Sequence, residues 1–285
     1  MTGTPTVVIA TRDREASLLR TLERLEALPE RPPVVVADNG SSDGTAPAVR
    51  RAHPNVTLLE LGRNRGAVAR TIGARLAAGP YVAFSDDDSW WAPGSLARAA
   101  AILDQFPDLA LVAARVVVGP EESDDPICAR MANSPLTARP GFPGPPVLGF
   151  IACAAVVRRS AFLEVGGFDP RIEFCCEELM LAVDLRSHGW ELAYIPELVA
   201  HHHPSPHRDA GSRRRLEARN LIWFAWLRLS PGGFVRSVVR VVRGSFGDRQ
   251  AVAGLAEAVA GLPRLAAARE PVARELEREL RRLDT

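Results

Sequence analysis

Three acids in succession, Asp86, Asp87 and Asp88, close a short apolar run that begins at Tyr81. Carboxylates packed this closely repel one another unless a cation or several donors compensate them. Hard divalent cations prefer oxygen ligands, and Mg2+ is commonly held by one or two carboxylates together with substrate phosphates. An Asp-x-Asp at a strand's carboxyl end therefore suits a metal–diphosphate clamp, the alternative being a solvated acidic turn. A second polar loop follows the apolar run 34–37, where Asp38 and Asp43 flank a Gly/Ser turn. An acid at such a strand end can hydrogen-bond a ribose or a base edge; either acid can also close an Asx turn or cap the following helix, a role that suits Asp43 better than Asp38. Trp90 and Trp91, next to the acids, offer faces for stacking on a sugar ring, or serve as core or a hydrophobic staple.

The elements that must position these groups alternate. Apolar runs at 6–10, 34–37, 56–61 and 81–84 read as buried parallel strands. Helical stripes at 17–28 (Leu18, Leu19, Leu22, Leu25 and Leu28), 45–52 and 67–78 separate them. That order predicts a mostly parallel sheet with right-handed crossovers. Ligands bind such sheets beyond the carboxyl ends of the strands. The loops after Ala10, Ala37, Leu61 and Phe84 are therefore expected to converge on one crevice. Further on, a helix is expected over 93–106, a strand over 110–118, a long unpatterned loop over 119–146 and a strand over 147–157. A helix over 159–165, a Gly/Asp turn at 166–169, a helix over 177–188 and a strand over 192–195 follow. Beyond His203 the chain turns Arg-rich and helical, at 212–229, 234–246 and 250–283.

Composition bounds the chemistry. The 285 residues carry 35 basic and 34 acidic side chains, a net charge of +1 that supplies no bulk field for nucleic acid. No lysine is present, which excludes Schiff-base chemistry, pyridoxal-phosphate catalysis and a P-loop with its required Lys. The Arg and Ala bias fits a high-GC bacterial genome. Cys128, Cys153, Cys175 and Cys176 form no CxxC and read as small core residues in a reducing cytosol. The first residues lack the basic region of a secretory signal, and the uncharged apolar stretch 147–157 is too short to span a bilayer. The expectation is a cytoplasmic protein, with peripheral contact at the inner face of the membrane left open by the Arg-rich tail.

The residues Thr6 to Arg14, Val36 to Thr45, Asn64 to Gly66 and Phe84 to Asp88, followed by Gly166 to Asp169 and Glu177-Glu178, together resemble family 2 glycosyltransferases. The resemblance runs in order from about residue 5 to 205. It implies an α/β fold of the GT-A type: a Rossmann-like, mostly parallel sheet flanked by helices, with a helical C-terminal extension. Residues 1–118 would form the nucleotide-sugar-binding part, 119–205 the acceptor-side part of the same domain with the catalytic base, and 206–285 the extension. The implied activity is inverting transfer of a sugar from a UDP- or TDP-type donor to the hydroxyl of a small molecule, a glycan or a lipid-linked acceptor, with Mn2+ or Mg2+.

The resemblance also implies roles. Ala10, Thr11, Arg12, Arg14 and Asp38 would hold the nucleotide; Asn64, Arg70 and Asp43 would frame the pocket; Asp86 would face the ribose, and Asp87 would line the sugar or support the ligating groups from behind. Asp88 would bind the cation, with His201 or His203 as a further ligand; His202 stays open because the spacing from Pro196 varies. In an extended strand at most His201 and His203 share a face. Trp91 joins the sugar-site candidates with Trp90. Inverting transfer needs a base for the acceptor hydroxyl. Glu178 occupies the position at which the family usually carries Asp, and Glu177 is the neighbouring alternative. Two other readings remain: a sugar-phosphate nucleotidyltransferase, disfavoured because the loop 11–14 lacks glycines, and an inactive nucleotide-sugar-binding module.

Overall fold

The computed structural model describes residues 3–204 and 210–283, so the expected boundary between 205 and 206 lies outside the described residues. Strands β1 (Thr6–Thr11), β2 (Val34–Asp38), β3 (Thr57–Glu60) and β4 (Tyr81–Asp86) alternate with helices α1 (Glu15–Glu26), α2 (Thr45–Ala52) and α3 (Val68–Leu76). These strands pair in parallel in the order β3-β2-β1-β4. Val7, Val8, Ile9, Val82, Ala83 and Phe84 are fully buried, as expected where helices cover both faces of a parallel sheet. Burying each of the larger side chains contributes about 1.5–3 kcal/mol.

Beyond β4 the sheet becomes mixed. After β5 (Ser89–Trp91) and α4 (Ser95–Gln105) come β6 (Leu109–Val118), β7 (Ser123–Asp124) and α5 (Pro126–Ala132). A 3-10 turn, Ala152–Ala154, leads into β8 (Ala155–Arg158), α6 (Arg159–Glu164), α7 (Glu177–Ser187) and β9 (Glu191–His202). β8 runs antiparallel between β4 and β6; β9 is parallel to β6 and antiparallel to β5. A buried apolar run reads the same whichever way it pairs, so the sequence carried no sign of this reversal.

Three local expectations change. The segment 119–146 is not one loop. Asp125 accepts the N–H of Ile127, and Pro126 opens α5, the pairing of side-chain cap and N1 proline that starts many helices. The expected strand 147–157 is regular only from Ala155. The strand expected over 192–195 extends over Glu191–His202 and ends in His201 and His202, because it pairs along the whole of β6.

The tail forms α8 (Ala210–Arg228), α9 (Pro231–Gly244), α10 (Arg249–Leu265) and α11 (Arg274–Leu283). It docks on the rest of the chain through Leu148, Ile172, Met180 and Val183, packed with Phe224, Ala225 and Leu227. The largely buried Arg228 guanidinium grips both oxygens of Asp184 on α7, at 2.6 and 3.1 Å. α10 lies so close to α8 that a Cβ on Gly254 would stand 2.1 Å from the Arg215 carbonyl oxygen, which only glycine tolerates. The segment Arg249–Ala268 is long and apolar enough to cross a membrane by length and composition, yet one of its faces packs on α8.

Candidate active site

The four parallel strands end at one edge. Thr11 lies opposite Asp38, and Ala10 opposite Asp86, so the tips expected to converge do so through strand register. The loops beyond them zip together. The Asp38 carboxylate accepts the backbone N–H and hydroxyl of Ser41, and Asp13 accepts those of Ser42 at 2.7 and 3.2 Å. Asp38 is buried, whereas Arg12 is exposed and pairs with Asp13. Asp43 accepts the N–H of Thr45 at the start of α2, an Asx-type turn that leads into the helix. The exposed Asn64 carboxamide bonds the N–H of Gly66 within its own turn. Gly66 itself has φ +56°, and a Cβ there would lie 2.6 Å from the Glu173 carbonyl oxygen, so the 62–66 turn can press against the segment before α7.

The three acids point to different partners. Asp86 is ion-paired with Arg70 on α3. Asp87 is turned inward: Thr11 donates its hydroxyl to the carboxylate at 3.0 Å, and Thr21 donates to the Asp87 carbonyl. Burial, then repulsion from Asp86 and Asp88, pushes the Asp87 carboxyl up to about 7, while Arg14 opposes the shift. Asp88 lies 3.4 Å from His202 Nε2, and the His203 N–H donates to the Asp88 carbonyl. One ligand atom each from Asp86, Cys153 and His202 falls within 4.8 Å of the others.

This geometry corrects two candidate assignments. His203 meets Asp88 through its backbone N–H, and the rings of His201 and His203 face elsewhere. They pack on Trp90, His201 stacked at 5.4 Å with 12° between the rings and His203 at 4.7 Å, and His201 also meets Glu122. Alternation along β9 sends the middle histidine, His202, to the acid side. Trp91 is not at a sugar site either: it is fully buried, and its indole N–H donates to the Phe84 carbonyl at 3.2 Å. It is core, pinned under β4. Cys153, read from sequence as core alone, is buried as expected but also borders the acids; burial holds its thiol protonated.

Arg70 joins the acids to the glutamate pair. Its charge is stabilised first by Asp86, then by Glu177 and Glu178. Its guanidinium lies 5.9 Å over the Phe168 ring. The Phe168 N–H donates to the Thr71 hydroxyl at 2.9 Å, so the 166–169 turn serves to seat Phe168 under Arg70. Glu177 is 3% exposed and its Oε2 has no hydrogen-bond partner; Arg70 Nε is likewise unpartnered. Buried polar atoms are rarely left so, and these lie where a ligand or water would complete them. Glu178 is more exposed, and its Oε1 accepts the Ala152 N–H at 3.4 Å. Burial raises both carboxyls above the ordinary glutamate range, and Glu178 adds repulsion at Glu177.

That shift has a measurable consequence. A folded state that holds a proton more tightly than the unfolded chain loses stability as pH rises above the ordinary glutamate value, about 4.5. Glu177→Gln removes the repulsion while Asp86 still pairs Arg70. The metal-free variant is expected to melt above wild type at pH 8, by about 2–4 °C per kcal/mol relieved, and to converge with it toward pH 4. Melting curves across pH check this; a variant less stable at pH 8 contradicts it.

The turn before α7 is strained and held from two sides. Cys175 and Cys176 have φ of 63° and 69°, a conformation that costs non-glycine residues on the order of 1–3 kcal/mol each. The Ala67 N–H donates to the Glu173 carbonyl, and the fully buried Asn220 of α8 donates to the carbonyls of Phe174 and Cys175 at 2.6 and 2.9 Å. Nothing local in the sequence marks Asn220. Asn220→Asp keeps its shape but cannot donate. Its kcat is expected to fall about 10–100-fold through displacement of the glutamates, with donor affinity unchanged. Equal kcat would show that the strained turn holds itself.

The donor set fits a divalent cation. His202 links two sets, with Asp88 at 3.4 Å and with Asp86 and Cys153 inside 4.8 Å, so carboxylates and an imidazole, hard and borderline ligands suited to Mg2+ or Mn2+, lie about one histidine. The crowding of carboxylates here, which adds to burial in raising Asp87, is the electrostatic surplus a cation relieves.

Known proteins share this framework. The curated N-acetylglucosaminyl-diphospho-decaprenol L-rhamnosyltransferase of Mycobacterium tuberculosis is 31% identical over 288 aligned positions, spanning 87% of this chain and 92% of that protein. Among solved structures, the mannosyltransferase PcManGT of Pyrobaculum calidifontis, in complex with GDP-Man and Mn2+, superposes with a TM-score of 0.62 at 20% identity, over 100% of this chain and 86% of that one. S. aureus TarS 1-349 in complex with UDP gives 0.56 at 16% identity, over 88% and 73%. These likenesses establish the GT-A fold. The sequence model of Glycosyl transferase family 2 matches residues 6–166, the stretch that carries all four strand tips and the acid triplet. The chain therefore belongs to glycosyl transferase family 2.

Proposed function

We propose that this enzyme transfers a sugar, L-rhamnose being the first candidate, from a nucleoside-diphosphate donor to a hydroxyl of a sugar carried on a polyprenyl diphosphate, with inversion and with a divalent cation. One observation carries the reading: Arg70 is ion-paired with Asp86 at the acid tip and lies in the field of both glutamates, so the acid tip and the glutamate pair are coupled through one side chain. The relative's name supplies the sugar and the lipid-linked acceptor, and it is matched along nearly its whole length.

In this reading, Asp38 and the Ala10 to Arg14 loop hold the nucleoside, with Thr11 fixed by its bond to Asp87. Asp86, Asp88 and His202 would hold Mn2+ or Mg2+, which as a Lewis acid would offset the charge of the departing diphosphate. Arg70 keeps Asp86 in place and balances the glutamates. Glu178, the more open of the pair, takes the proton from the acceptor hydroxyl as its oxygen attacks the anomeric carbon from the side opposite the diphosphate. A single displacement of this kind inverts the anomeric centre. Glu177, buried beside Arg70, supports rather than performs the proton transfer.

The test supplies the purified chain and Mn2+ with a panel of nucleotide sugars and an N-acetylglucosaminyl-diphospho-prenol acceptor. Release of nucleoside diphosphate that needs both substrates, with an inverted anomeric signal in the product NMR spectrum, is the expected result. Pyrophosphate release from a nucleoside triphosphate, or donor binding with no turnover on any acceptor, overturns it.

A further inference from the structure

A groove of about 820 Å3 opens between α5, α7, α8, α9 and α11. We propose that it binds the prenyl-diphosphate portion of the acceptor, an inference that rests on the lipid-linked reading above. Leu179, Leu221 and Phe224 give it an apolar floor, while Arg130, Arg240 and Arg282 line it and no carboxylate does among the described residues. A hydrocarbon chain joined to a diphosphate presents the matching pair of chemistries.

Position ties the groove to the reaction. Leu179 follows Glu178 in the chain. On the opposite wall, Leu148 and Gly149 precede the turn whose Ala152 N–H reaches Glu178. A sugar at Glu178 would thus have its diphosphate and lipid leading into the groove. The volume lies within the range of small-molecule sites, about 300–1,000 Å3. It is too small for a long polyprenyl chain, the remainder of which must lie elsewhere.

Helix α9 shows where. It lends Ser237 and Arg240 to the groove, and along its outer side Val235, Val239 and Val242 are 59, 43 and 39% exposed, with Phe246 in the turn that follows 80% exposed. Their spacing makes one stripe, edged by the exposed Arg236 and Arg243. On α10, Val252 and Val259 are also exposed. A basic, apolar-striped helix of this kind lies in a bilayer interface and is drawn to anionic lipid. The groove therefore opens beside a surface suited to the bilayer that holds the rest of the chain.

Farnesyl diphosphate, which carries the diphosphate and isoprenoid but no sugar, tests the groove directly by calorimetry in EDTA, so that no cation recruits it to the acids. Wild type and Glu178→Gln are expected to bind it. Leu221→Glu and Arg130→Ala are each expected to bind at least about tenfold more weakly, the scale of one charge-assisted contact. Inorganic pyrophosphate alone should bind far more weakly than farnesyl diphosphate. Phe246→Glu should weaken sedimentation with phosphatidylglycerol vesicles while leaving farnesyl diphosphate binding intact. No binding to wild type, or binding untouched by both groove substitutions, overturns the proposal. A groove that binds while no prenyl-diphosphate sugar is ever glycosylated overturns the functional reading instead.

Discussion

Glu178→Gln is expected to lower kcat about 10²–10⁴-fold while leaving donor affinity near wild type. Glutamine keeps the size of the side chain and can still accept the Ala152 N–H, so the helix start and the 3-10 turn opposite it are preserved. What it lacks is a site for the acceptor's proton. Glu177→Gln is expected to cost much less, because Glu177 is 3% exposed, with little access to an acceptor. The two variants therefore separate roles that sequence leaves open. The pH profile provides a second criterion. Burial raises the Glu178 carboxyl, so the rising limb of kcat/KM should lie above the ordinary glutamate range, activity growing as the proton leaves. Glu178→Gln should lose that limb. Steady-state rates across pH, with donor binding measured separately, decide the matter; a larger loss from Glu177→Gln would exchange the roles.

The donor side was the more legible half. β1 to β4 are short apolar runs ended by turn formers, and a parallel order places every such end at one edge, so Thr11, Asp38 and Asp86 could be gathered from sequence. What failed depended on pairing between distant segments. Which histidine faces Asp88 is set where Ser89 meets His202 across β5 and β9, and by an irregularity in β9: Ala114 pairs Ile195 while Arg115 pairs Val199, so Pro196 to Leu198 fall between partners. Neither is visible in an alternation pattern. Trp91 misled because an aromatic beside acids resembles a sugar platform, whereas its N–H had already been claimed by the Phe84 carbonyl. Cys153 and Asn220 reach the site from remote stretches, so no local spacing announces them. The start of α5 is different: Asp125-Pro126 was a readable helix signal, hidden only by the Pro- and Gly-rich residues around it.

Asp88→Asn carries the other large effect: a fall in kcat of about 10²–10³-fold at fixed Mn2+, the scale for losing a group that stabilises charge on a leaving oxyanion. The choice of Asp88 rather than its neighbours follows from what each holds. Asp87 bonds Thr11 and is pushed toward neutrality, so Asp87→Asn mimics the form that burial already favours. Asp86 also fixes Arg70, so Asp86→Asn would disturb both halves of the site. Asp88 is the acid ion-paired with His202, and its amide isostere can still meet that imidazole. The loss should therefore express cation binding. Mn2+ titration followed by electron paramagnetic resonance, with the nucleoside diphosphate present, should show weaker binding in Asp88→Asn. Raising Mn2+ should recover part of the rate, and His202→Ala should shift the same titration by a smaller amount. Full activity of Asp88→Asn in EDTA would remove the cation from this site altogether. The burden of charge on the leaving diphosphate would then fall to Arg70 and Arg14, guanidiniums whose fields already reach the acid triplet.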